Sequence, residues 1–395
     1  MSLANVAVIV AMAATIPLLA RAVPGGVVPG IVIEILAGLL VGPHGLGWVS
    51  IDGAASTLAL LGVAFLFFLA GLEIDLGAIR GGVLLRSVGA YCGGLVLALV
   101  VTVAMHAAGL VQAPVLLAVA LSATGLGLVV PLLRDAQLLG TPTGGTIASA
   151  ASVAEFSAVV ILAVGFGAGR SPLLSAAFLA VLVVLTLVVT IAGRRLDAET
   201  RLTAVVDRLS DGTGQLRVRI SVALVIGFAA LAQLLGLEVV LGAFFAGGIL
   251  NVLDHGMRDP AFRGRLDGIG YGFLIPIFFI VSGSRLDLGA LNLWPDLLVV
   301  VPLLTLALLV ARGVPTPLLG LPRRARVGSG LLLATSLPFI VTASQVGLEQ
   351  GRLDTATAAA VTTAGLVGVC IFPTLGVSAL AARNVSVRLV RHGPG

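Results

Sequence analysis

Thirteen stretches of this chain are apolar over about the 20 residues that a helix needs to cross a bilayer core. They fall near 3–20, 26–42, 55–73, 84–110, 113–133, 144–167, 172–193, 217–235, 237–252, 267–284, 294–311, 327–348 and 355–382. Only 10% of residues are charged and the mean hydropathy is +1.16, against about 25% charged in an ordinary soluble domain. The expected fold is therefore an all-α integral membrane protein embedded in lipid. The basic residues test the count independently. All 23 are arginine, and 20 of them follow odd-numbered spans while Arg170, Arg285 and Arg352 follow even-numbered ones. Cytoplasmic loops collect basic residues, so the pattern predicts a multi-pass protein of the cytoplasmic (inner) membrane, N-terminus outside and C-terminus inside. Arginines spread over membrane-flanking loops do not indicate nucleic acid as a partner.

Two segments repeat. AFLFFLAGLEIDLGAI (64–79) lies over PIFFIVSGSRLDLGAL (276–291), with identities at Phe67/Phe279, Gly71/Gly283, Asp75/Asp287, Leu76/Leu288, Gly77/Gly289 and Ala78/Ala290. They occupy spans three and ten. An odd offset of seven makes the copies enter the membrane from opposite sides. ALSATGLGLVVPLL in span five stands against LLATSLPFIVTASQ in span twelve, and EILAGLLVG in span two against GAFFAGGIL in span nine. Inverted-topology repeats with substrate near the midplane characterise secondary transporters. The expected organisation is a first half over 1–193, a cytoplasmic linker over 194–216, a second repeat over 217–382 and a cytoplasmic tail over 383–395, without an added soluble regulatory domain.

Ionised groups inside a membrane are costly and ask for a partner or a purpose. Span six carries one carboxylate, Glu155, flanked by small and apolar residues. Such a group neutralises its charge by holding a proton or a metal cation, and not both together. Combined with alternating access, exclusive occupancy gives antiport. Ser122 and Thr124, with Ser152 one helical turn before Glu155, supply hydroxyls for a hard cation or its water. Gly125 and Gly127 in span five, and Ser336 and Pro338 in span twelve, predict broken crossing helices whose freed backbone groups face protein or water. One column of the repeat is opposite in charge: Glu73 over Arg285. Two expectations follow: a salt bridge between them across the core, or each at a membrane edge reaching water, since Asp75 and Asp287 follow directly as at helix ends. Glu34 and Glu238 read as helix-end or interface groups. His44, His106, His255 and His392 show no metal spacing, Cys92 and Cys370 read as packing residues, and no cofactor is expected.

Several of these motifs, in order and over almost the whole chain, resemble the monovalent cation:proton antiporter superfamily, in particular its second branch, the Kef-like and Nap-like antiporters. The segments are EILAGLLVGPHGLG, FLFFLAGLEIDL, LSATGLGLVVPLLRD and IPIFFIVSGSRLDLG. The resemblance implies a homodimer, with a mobile core moving as an elevator against an interface formed by spans near the start of each half. It implies that Glu155 is the ion-binding acid, Thr124 the crossing-helix threonine and Arg285 the basic residue of the tenth span. Two departures stand out. Ala154 replaces the amide or acid that usually precedes the ion-binding residue, and Glu155 is one methylene longer than the usual aspartate. The function read from the sequence is exchange of sodium or potassium for a proton, electroneutral, by a transporter and not an enzyme. The alternatives are an organic-solute transporter, or a membrane-embedded enzyme using Glu155 as general acid, on the same fold.

Overall fold

The computed structural model describes residues 3–22, 29–51, 53–74, 82–166, 172–197, 215–254, 260–291 and 293–391. Every regular element among them is helical, because a backbone in lipid must satisfy its own hydrogen bonds. The helices are α1 (Leu3–Ala22), α2 (Gly30–Val41), α3 (Gly53–Leu72), α4 (Gly82–Ala107), α5 (Pro114–Ser122), α6 (Leu126–Asp135), α7 (Pro142–Gly165) and α8 (Pro172–Asp197). They continue as α9 (Leu216–Leu234) and α10 (Val239–Asp254), then α11, which runs Pro260–Ile269, widens into a π turn at Gly270–Leu274 and resumes at Ile275–Ser284. The last four are α12 (a π stretch Leu293–Val300 leading into Val301–Gly313), α13 (Arg323–Leu333), α14 (Leu337–Glu349) and α15 (Thr355–Arg391).

Among the described residues nine helical segments are long and apolar enough to cross a membrane, and the bent pair α13–α14 makes a tenth. Three shorter apolar helices, within α1, α2 and α10, stand where three further spans were expected. The linker expected over 194–216 lies largely outside the described residues. The tail is helical as far as Arg391, as a continuation of α15.

The chain forms two compact units that each draw on both sequence halves: residues 1–16, 34–74 and 159–285 in the first, and 17–33, 75–158 and 286–395 in the second. In the first unit the repeat is visible as paired close approaches. A Cβ on Gly38 of α2 would collide with the carbonyl of Ile280 on α11, and one on Gly247 of α10 with the carbonyl of Phe68 on α3. Phe68 and Ile280 share a column of the repeat. Gly71 and Gly283, also one column, would collide with the carbonyls of Phe244 and Ile35. The same backbone-to-backbone seam is thus made twice, by α2 with α11 and by α10 with α3. Glycine is required there because small residues let membrane helices approach.

Helices α3 and α11 run antiparallel. Gly270 packs against Leu69, Gly62 against Leu274 and Phe278, and Arg285 reaches Ser56. Opposite direction is what an inverted repeat demands of mates. Glu238 immediately precedes α10, as a helix-end group should, whereas Glu34 is buried in the second turn of α2. Cys92 is exposed and Cys370 half-buried, so neither fills the packed interior.

The seam sets a stability test. Gly38→Ala and Gly247→Ala should each cost about 1–3 kcal/mol through overpacking and lower the thermal midpoint of the purified protein by several degrees. Gly227→Ala on α9, where a Cβ meets nothing within 4 Å, should leave it unchanged or raise it.

Candidate functional site

The second unit contains both broken helices. Helix α5 ends at Ser122 and α6 starts at Leu126. Between them Ala123 (φ −70°, ψ 164°) and Gly125 (φ −73°, ψ 94°) are extended. The mate is α13, which ends at Leu333, followed by α14 from Leu337 after a bend of 41°. A break exposes carbonyls at one helix end and N–H groups at the next, and the two breaks answer each other. Gly125 N–H donates to Thr335 O at 2.7 Å, and Thr124 Oγ1 donates to Leu333 O at 2.7 Å. Gly125 fits because a Cβ would lie 3.3 Å from Thr335 O and 3.5 Å from Pro338 Cδ. Gly127 falls inside the first turn of α6, not in the break, and Pro338 sits at the second position of α14, where its missing N–H costs nothing.

The next amide along, Leu126 N–H, donates to Glu155 Oε2. Leu126 is the first residue of α6, so the carboxylate sits at a helix N-terminus, where backbone donors and dipole favour negative charge. Glu155 is 3% exposed. Ser152, three residues earlier on α7, is buried and donates to Ala148 O at 2.9 Å, which leaves its lone pairs for a ligand. The Thr124 hydroxyl is already engaged, by the Leu333 carbonyl and by an arginine described next. Ser122 Oγ lies 3.0 Å from Val119 O and 3.4 Å from the Tyr91 hydroxyl. Ser336 is buried, with no hydrogen-bond partner for its hydroxyl among the described residues. In the second copy α15 presents Gly365 to the side chains of Leu337 and Ile340, at the start of α14.

The arginine is Arg312, in the last turn of α12. It is 4% exposed, and its Nε donates to Thr124 Oγ1 at 3.0 Å. The sequence reading counted it among loop arginines because it closes an apolar run. Removing it from that count leaves the loop asymmetry in place. Arg285, expected in this role, belongs to the first unit, where its Nη2 donates to Ser56 Oγ at 3.1 Å. Ser56 lies near the start of α3 and Glu73 just past its end, 17 residues away in the sequence. At 1.5 Å per residue that is roughly 25 Å, so the structure does not bring Glu73 and Arg285 together. Among the described residues no group of three His, Cys, Asp or Glu forms a metal cluster.

A sequence profile described as "Sodium/hydrogen exchanger, transmembrane" matches residues 8–382. The chain belongs to the sodium/hydrogen exchanger family. Its relatives include YjbQ of Bacillus subtilis (strain 168), which carries a provisional Na(+)/H(+) antiporter name. That protein is 32% identical over 83% of this chain, which spans 55% of YjbQ's length. The Na(+)/H(+)-K(+) antiporter GerN of Bacillus cereus is 26% identical, with 82% of this chain and 83% of GerN covered. Among solved structures, the sodium proton antiporter MjNhaP1 of Methanocaldococcus jannaschii matches with a TM-score of 0.61 at 15% identity, over 95% of this chain and 94% of that one. That likeness is one of fold.

The two arginines separate by experiment. Arg312→Gln removes a buried charge that holds Thr124, and loss of a buried hydrogen-bonding group costs about 1–3 kcal/mol. It should reduce transport at least tenfold in membrane vesicles, while Arg285→Gln should keep most of it at equal expression.

Proposed function

We propose that this protein exchanges a monovalent cation, sodium or potassium, for a proton across the cytoplasmic membrane by alternating access, with Glu155 holding either ion in turn. The observation that carries the reading is the buried Glu155 carboxylate on the Leu126 amide, at the end of a broken helix. A buried carboxylate can neutralise its charge by holding a proton or a cation, and not both together. Ser152 and the backbone carbonyls of Ala123 and Thr124 in the break are the oxygens proposed to complete the shell of a cation. The printed names of the relatives, Na(+)/H(+) and Na(+)/H(+)-K(+), support the same pair of substrates.

Charge balance supports one-for-one exchange. The site has one carboxylate, Glu155, which a proton or a cation would occupy in turn. A bound proton and a bound cation each add one positive charge, and equal charge travels both ways. The same reading takes the protein as a homodimer with its N-terminus outside and its C-terminus in the cytoplasm. The first and second halves of the sequence act in it as an inverted pair.

Everted vesicles from an antiporter-deficient strain, acidified by respiration and challenged with sodium, potassium and lithium salts, test the reading. Wild type should dissipate the proton gradient with at least one ion, and Glu155→Gln should abolish the response. Silence with every ion between about pH 6 and 9, with folded protein in the membrane, would overturn it. Exchange should also be indifferent to membrane voltage; a transport current would remove the one-for-one ratio.

A further inference from the structure

Tyr91 was not singled out by any motif, yet it stands beside the site. It lies on α4, is 3% exposed, and its hydroxyl is 3.4 Å from Ser122 Oγ. Ser122 is the last residue of α5. One turn further along α4, a Cβ on Gly94 would collide with Ala311 O, so α4 and α12 touch backbone to backbone. The same position lies 3.6 Å from Arg312 Nη1. Tyr91 and Arg312 thus stand on facing stretches of α4 and α12.

We propose that Tyr91 is a positioning residue for exchange, holding with Arg312 the two ends of the unwound stretch and thereby setting how tightly the site keeps its cation. The inference rests on exchange at Glu155. Tyr91 fixes Ser122, and Arg312 fixes Thr124; Ala123 is stretched between them. The following amides are committed in turn to Thr335 O and to Glu155. A displacement at Ser122 therefore passes to the Leu126 amide within four residues.

Tyr91→Phe keeps the ring and deletes the oxygen. In vesicles it should raise the apparent KM for the transported cation at least threefold, with maximal rate within twofold of wild type. Ser122→Ala removes the same hydrogen bond from its other side and should shift KM in the same direction. The double variant should be no worse than Tyr91→Phe alone. An unchanged KM in Tyr91→Phe, or effects that multiply in the double variant, would overturn the proposal. Should Tyr91→Phe fail to reach the membrane, the KM of Ser122→Ala decides. A silent wild type overturns exchange and this inference together. An active wild type with inactive Glu155→Gln and unaltered Tyr91→Phe removes this inference alone.

Discussion

Backbone groups freed in the middle of a membrane protein must find partners, and here they find each other. Gly125 N–H and Thr335 O, one from each break, join in a 2.7 Å hydrogen bond that holds the two half-helix pairs at a common point. The rest of the site is arranged around that bond. The next amide turns to Glu155, and the preceding hydroxyl bridges the Leu333 carbonyl to Arg312. Each of these polar groups thereby finds a partner away from water. The proposed ion site adjoins the point where two interrupted helices satisfy one another.

The sequence carried much of this because the constraint is written in residue types. A carboxylate in span six has few physical explanations in lipid, and the ATGLG/ATSLP pairing reports interruption in both copies. The glycine columns Gly71 and Gly283 were legible as a repeat. That they mark collisions with carbonyls of neighbouring helices required coordinates. Period and hydropathy also located the helices, although three of them are shorter than a full crossing.

The arginine was the failure, and its cause is instructive. Arg285 lies in a repeated segment and so attracted attention, while Arg312 ends an apolar run like any residue at a membrane edge. Linear hydropathy cannot tell a side chain that snorkels out from one that turns inward. What turns Arg312 inward is a contact remote in sequence: Gly94 lets α4 meet α12, and Thr124 offers the hydroxyl. Tyr91 was silent for the same reason. The opposite charges of Glu73 and Arg285 marked equivalent places in two copies, and inversion sends equivalent places at helix ends to opposite ends of the antiparallel pair.

The N-termini of α6 and α14 are counterparts, yet one is met by Glu155 and the other by Gly365. The two breaks are therefore alike in backbone and unlike in what faces them. The difference in charge between the two helix starts lies in a single side chain, Glu155, and not in the scaffold.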